Sequence, residues 1–310
     1  MSHDSTHDLV VVGAGPAGIS AALWARSLEM DVLLLDAAPA PGGQLHLVHF
    51  HPPAVAGFES GDGPALAAAY ARQLEAAGVH WRGGCTAASL RPAGQDGPAE
   101  VGVANGETFA GRAVLLATGV RRRRLGVPGE SEFEGRGVSF SATRDQARLA
   151  GRPVAVVGGG DAAFENALLL AATGSEVDLI VRGEVRARSE FRERVAAEAR
   201  IRVHRDAAVA AILGEAQVTA VRIEGGSATE EIPTRGVVIK IGVLPNSEWC
   251  RSCVPTDAEG YVRVDPDLAT TARGVWAAGD LVRPQPPSVP VAIGQGAQAA
   301  TAIRKALRGT

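Results

Sequence analysis

Two glycine-punctuated segments constrain this chain more than anything else in it. In the first, the apolar run Leu9–Val12 leads into Gly13-Ala14-Gly15-Pro16-Ala17-Gly18. An Ala-rich stretch follows to about Leu28, and a second apolar run, Val32–Leu35, ends at Asp36. Short apolar runs bounded by turn residues predict buried strands, and the Ala-rich stretch between them predicts a helix. Glycines in that order permit the tight turn, let the backbone approach a pyrophosphate and allow close strand–helix packing. The helix start then presents free N–H groups to the phosphate charge. Asp36 lies 23 residues after Gly13 at a strand end, where a carboxylate accepts from ribose hydroxyls. A glycine-rich turn with no ligand is the alternative that this context outweighs.

The pattern returns about 145 residues later. A strand at Pro153–Val157 runs into Gly158-Gly159-Gly160-Asp161-Ala162-Ala163, a helix spans Ala162–Ala172, and Glu176–Val181 forms the next strand. That strand ends in Arg182, with Arg186 and Arg188 close behind and no acid at the ribose position. A guanidinium there suits the 2′-phosphate of NADP, whereas an acid would suit NAD. The competing reading is a solvated helix start. Alternating strands follow each unit (Ala99–Val103, Val218–Glu224), broken by turns at Asn105-Gly106 and Gly225-Gly226. Buried strands at Ala113–Ala117 and Val237–Ile241 close the two blocks, and a strand at Gly274–Ala277 and a helix around Ala297–Leu307 complete the chain. The expected fold is α/β: two Rossmann-like dinucleotide-binding domains, the second inserted into the first.

Composition narrows the partners. Lys+Arg 31 against Asp+Glu 34 leaves a net charge of −3, with no basic excess to favour nucleic acid or an anionic membrane. Three cysteines exclude a disulfide scaffold and fit a reducing cytoplasm. Leu9 to Ala25 carries no charge for 17 residues, but its glycines and proline, and Asp4 and Asp8 ahead of it, read as strand, turn and helix rather than leader or span. A soluble protein is expected. Aromatics are only 4%, so the layers must pack on Ala, Val, Leu and Ile.

Further motifs carry a resemblance. Gly42-Gly43-Gln44, Ala117-Thr118-Gly119, Gly242-Val-Leu-Pro245-Asn246 and Gly274-Val-Trp-Ala-Ala-Gly279-Asp280 occur in the order seen in low-molecular-weight thioredoxin reductases, over essentially the whole chain. The resemblance implies an FAD-binding domain at about 1–118 and 246–310 and an NAD(P)H-binding domain at 119–245. It implies that Gly13, Gly15, Pro16, Ala17 and Gly18 hold the FAD pyrophosphate and Asp36 its adenosine ribose. Gly42, Gly43, Gln44, Ala117, Thr118, Gly119, Gly279 and Asp280 would surround the rest of the FAD. Gly158, Gly160, Asp161, Ala162, Arg182 and Arg186 would take NADPH. A homodimer is implied as well.

The departures from the family bear on mechanism. Thioredoxin reductases carry a Cys-x-x-Cys in a segment resembling Gly137-Val-Ser-Phe-Ser141-Ala-Thr-Arg144-Asp145, where this chain has Ser141 and Arg144. Disulfide exchange needs a thiolate and a sulfur leaving group, and neither residue supplies one. Pro287-Ser288-Val289 stands where those enzymes have Arg-Gln-Ala. Val55-Ala-Gly57-Phe58, Val291-Ala292 and Gly294-Gln-Gly296 look more like the thioredoxin-reductase-type ferredoxin/flavodoxin–NADP reductases. Those carry a C-terminal segment over the flavin, whereas this chain stops at Thr310; an accessible flavin face is expected. The expected function is NADPH oxidation with electrons passing through FAD directly to an external small protein or small molecule. A disulfide reductase using Cys250/Cys253 and a redox sensor without turnover are the alternatives.

Three other clusters invite readings. Cys250-Arg-Ser-Cys253 reads as thiols on a surface turn, with Arg251 able to lower a thiolate pKa and a peripheral disulfide as the sharper option. Cys85 reads as a strand-edge residue. His46, His49 and His51 share the loop after Gln44, as ordinary loop residues or proton donors near the flavin. Arg121–Arg124 reads as a solvated run, with docking of an acidic electron carrier as the alternative. No metal site and no catalytic side chain are expected.

Overall fold

A computed structural model describes residues 6–52, 54–95, 97–225 and 228–309. The chain forms two compact units. One contains the residues up to Arg121 and from Leu244 onward; the other runs from Arg122 to Val243, a few residues inside the expected insert.

The first unit begins with β1 (His7–Val12), α1 (Pro16–Ser27) and β2 (Val32–Leu35), with β1 and β2 parallel and Leu9 opposite Val32. Helix α2 (Gly63–Ala76) returns the chain to β3 (His80–Arg82), parallel to β2. A meander of β4 (Ala87–Arg91), β5 (Ala99–Val103) and β6 (Thr108–Leu116) follows, and β6 then lies parallel to β1 on the side away from β2. The sheet order is β3-β2-β1-β6-β5-β4. Strand β6 starts earlier than the expected Ala113 because Thr108–Gly111 serves the meander, while its apolar end serves the parallel sheet.

After β7 (Val120–Arg122), the second unit opens with β8 (Val138–Ser139), α3 (Ala142–Leu149), β9 (Val154–Val157), α4 (Asp161–Ala171), β10 (Val177–Val181), α5 (Ser189–Ala197) and β11 (Ile201–Arg205). An antiparallel meander, β12 (Ala208–Gly214), β13 (Val218–Gly225) and β14 (Ala228–Pro233), precedes β15 (Gly236–Ile239). The Gly226 half of the expected Gly-Gly turn lies outside the described residues. Parallel order β11-β10-β9-β15-β8 makes this a second doubly wound sheet. Its central strands are buried along their whole length, as a sheet covered on both faces requires.

The chain returns through β16 (Val243–Pro245) to β17 (Val275–Ala277), parallel to β6, and ends in α6 (Val289–Arg308). This helix starts eight residues before the expected Ala297. Pro290 in its first turn needs no hydrogen-bonded N–H. Gly294 and Gly296 resemble breakers in sequence, yet Gly296 is where α6 meets α1: a Cβ there would lie 2.2 Å from the Ala17 carbonyl oxygen. Ile19, Ala21, Ala22 and Ala25 of α1 pack with Ala299, Ala300 and Ile303 of α6 over Leu9 and Val11. Val10, Val12, Leu35 and Leu116 face the other layer, with Val101 and Cys250. No described helix is long and apolar enough to cross a membrane.

Candidate functional site

The carboxyl ends of β1, β2 and β6 open onto a cavity of about 610 Å³, placed where open α/β sheets bind their ligands. Its wall contains Gly13, Gly15, Pro16 and Ala17 of the β1–α1 turn, and Asp36 at the end of β2. Gly43, Gln44, Ala117, Thr118, Gly119, Gly279 and Asp280 complete the expected set there. Gly18 and Gly42 are absent from the wall for a physical reason. A Cβ on Gly18 would fall 1.8 Å from the Gly13 carbonyl oxygen, so its role is packing. Gly42, at φ 131°, donates its N–H to Ala14 O at 2.7 Å and ties the next loop to the first.

The cradle fits an extended dinucleotide. Gly13 has φ 111°, and a Cβ there would sit 2.3 Å from Ala117 O; Gly15 has nothing within 4 Å of where a Cβ would be and faces open space. Helix α1 has no side-chain cap and no acid in its first turn, so its first N–H groups are left for an anion. Asp36 accepts from Ala14 N at 2.5 Å and Ala38 N at 2.7 Å. The carboxylate therefore braces the glycine turn, and keeps part of its acceptor capacity for a hydroxyl. Farther along, Thr118 Oγ1 donates to Asn246 O at 2.8 Å, and Asn246 Nδ2 donates back to Thr118 O at 2.8 Å. Gln44 Nε2 donates to Val120 O at 2.5 Å. Burial raises the Asp280 carboxyl above its ordinary pKa.

Sequence reasoning missed part of this wall. Trp249 lines the cavity, and its Nε1–H is buried without a partner among the described residues. Cys85 is buried in the loop after β3, outside any strand, and its N–H donates to Asp36 O at 2.8 Å. It is a wall residue rather than a strand edge. Its position just beyond the end of a parallel strand was the available signal.

In the second unit the β9–α4 turn repeats the scheme. Gly158, at φ 144°, would place a Cβ 2.2 Å from Lys240 O, while Gly160 faces open space at the uncapped start of α4. Arg182 and Ala162 are exposed at the neighbouring strand end and first helical turn. Arg186 is exposed and its backbone N–H donates to Gly159 O at 2.7 Å, bracing the turn. Asp161 turns to Arg188 instead of the crevice, accepting from its N–H at 2.8 Å and Nε at 2.7 Å. Those bonds hold its carboxyl below the usual range. Lys240, unforeseen in sequence, donates from Nζ to Phe140 O at 2.8 Å; burial, reinforced by Arg122, pushes its amine down to about 8.

Several expected clusters dissolve. Cys250 is fully buried rather than on a surface turn, and burial, with Cys253 beside it, pushes its thiol up to about 12 despite Arg251. His46 bonds Pro41 O and His51 bonds Gly61 O, each at 3.0 Å, as separate loop anchors. The arginine run is dispersed: Arg121 pairs with Glu248 at 2.5 Å, Arg122 lies over Phe140, Arg123 donates to Val243 O and Arg124 pairs with Glu134 at 2.7 Å.

Residues 7–296 match the family model described as pyridine nucleotide-disulphide oxidoreductase. A thioredoxin reductase of Mycolicibacterium smegmatis is 35% identical over 285 residues, covering 90% of this chain and 89% of that protein. A component of the alkyl hydroperoxide reductase of Pseudomonas putida is 33% identical over 95% of this chain, which spans only 57% of that longer protein. The crystal structure of Lactococcus lactis thioredoxin reductase is 29% identical and superposes with a TM-score of 0.79, covering 98% of this chain and 100% of that one. With two dinucleotide-binding units of the required topology, the chain belongs to the pyridine nucleotide-disulphide oxidoreductase family, as a thioredoxin reductase-like, NAD(P)H-dependent flavoprotein oxidoreductase whose cofactors are FAD and NADPH.

Proposed function

We propose that this protein passes electrons from NADPH, by way of FAD, to an external acceptor with no dithiol in between. The use made of the two positions where the resemblance puts redox cysteines supports this most directly. Ser141 is the N-cap of α3, its Oγ accepting the Arg144 N–H at 3.3 Å, and Arg144 is ion-paired with Asp145 at 2.7 Å. Both side chains serve the start of a helix, and neither offers the sulfur that exchange requires. Cys250 is a poor substitute, because a thiol pushed up to about 12 is almost entirely protonated near neutrality.

In this assignment Gly13, Gly15 and the first amides of α1 hold the FAD pyrophosphate, and Asp36 its ribose. Gly43, Gln44 and Asp280 hold the flavin end. Gly158, Gly160 and Arg182 take NADPH, with Arg186 bracing the turn. Bound FAD supplies a centre that accepts a hydride and releases electrons one or two at a time. The chain orients the cofactor through backbone donors, and the half-buried Asp280 can keep a proton on its carboxyl closer to neutrality than a solvated acid can. The acceptor is a small protein, ferredoxin or flavodoxin among them, or a small molecule, and the working assembly is a homodimer.

A thioredoxin assay at saturating NADPH, with ferricyanide or a quinone dye as positive control, tests the proposal. Dye reduction without thioredoxin turnover is the expected result. Thioredoxin turnover abolished by Cys250→Ser would move the electron path to the Cys250/Cys253 pair and overturn it.

A further inference from the structure

The second unit carries another pocket, at the opposite end of its strands from the nucleotide turn. Gly137 immediately precedes β8, Arg235 immediately precedes β15, and Arg152 lies just before β9. These are the amino ends of the parallel strands, whereas doubly wound sheets bind nucleotides at the carboxyl ends. The pocket has a volume of about 280 Å³ and brings together Arg136, Arg148, Arg152 and Arg235, with Gln217 from the β12–β13 turn; no lining residue is acidic.

Several arginines elsewhere in this protein are neutralised by a carboxylate. Arg82 pairs with Glu107, Arg91 with Glu100, Arg200 with Glu176 and Arg222 with Glu231. In the pocket, among the described residues, Arg136, Arg152 and Arg235 form no ion pair, and Arg148 has only Asp145 at 3.5 Å. Two of the guanidiniums are also pre-positioned. Arg136 donates to Ala216 O at 3.3 Å and Glu132 O at 2.6 Å, and lies over the Phe133 ring. Arg148 donates to Gly135 O, while its Nε–H is buried with no partner. An unsatisfied buried charged donor is costly, and a guanidinium fork matches phosphate oxygens two at a time. Four guanidiniums lining one concavity, three of them exposed and the set offset only by Asp145 at 3.5 Å from Arg148, suit a ligand of at least two negative charges.

We infer that this pocket is a binding site, separate from both cofactor sites, for a compact phosphate-bearing small molecule. Such a ligand has two sources, an inorganic polyphosphate or a phosphorylated metabolite, and the experiment takes one probe of each. Inorganic pyrophosphate and 3-phosphoglycerate are titrated calorimetrically into the FAD-loaded protein at physiological ionic strength, with NADP⁺ saturating so that the nucleotide site is filled. One saturable site per chain is expected for at least one probe, the tighter one identifying the source. The Arg152→Gln/Arg235→Gln double variant should weaken that binding by about tenfold or more, with NADP⁺ affinity unchanged. Should the double variant not fold, each single variant is expected to weaken it about threefold or more. Absence of saturable binding by both probes, or affinity equal in wild type and the variants that fold, would overturn the inference.

Discussion

At the scale of single residues, the neighbours of a side chain decide what it can do. Arg182 stands exposed at the carboxyl end of β10, beside a glycine turn that leaves room for a phosphate. Arg182→Ala should cost roughly 1.5–3 kcal/mol of NADPH binding and leave NADH little changed. The NADPH/NADH ratio of kcat/KM measures this, and an unchanged ratio would assign the 2′-phosphate elsewhere. The position of Arg182 at a strand end was legible in the sequence because it follows an apolar run bounded by turn residues. Lys240 was not. Its position is unremarkable until the sheet brings the ends of β8, β9 and β15 together, and its lowered amine pKa is a property of burial that no spacing encodes. Cys250 was misread for the same reason. A Cys-x-x-Cys beside turn residues reads as a surface turn in one dimension, and only packing with Val10, Leu35 and Val101 buries the thiol and raises its pKa.

At the scale of elements, both βαβ units and the glycine turns joining them could be read directly, since apolar runs and glycines at fixed offsets report local geometry. Helix α6 was harder, because its glycines answer to a distant partner. Gly294 is exposed with nothing near it, while Gly296 lies against α1. The two should therefore respond oppositely to a methyl-bearing side chain. Gly294→Ala should stabilise by about 1 kcal/mol through helix propensity. Gly296→Val should destabilise by about 1–3 kcal/mol through overpacking, with FAD retention falling as α1 is displaced. Urea denaturation followed by circular dichroism, with flavin absorbance for occupancy, checks both; equal effects would show that Gly296 is merely a tolerated glycine.

At the scale of the whole molecule, the larger cavity draws its wall from both ends of the chain: Gly13 and Asp36 come early, Trp249 and Asp280 late. FAD should therefore stabilise the first unit as one body. Loading to about 100 times Kd should add about 2.7 kcal/mol to its unfolding, and scanning calorimetry of apo and FAD-loaded protein should show that transition rising while the transition of the second unit, Arg122–Val243, stays in place. A uniform rise of both would show that they do not unfold independently. The insertion also has a consequence for how the protein comes off the ribosome. Strand β17 and helix α6, which complete the sheet edge at β6 and cover α1, are synthesised only after the whole of the second unit. At roughly 5–20 residues per second, translation takes on the order of ten seconds to cross that insert. During this interval the nascent first unit exposes apolar surface that it cannot yet close, while the nucleotide unit already has every strand it needs. The unit begun second is the one that can be finished first.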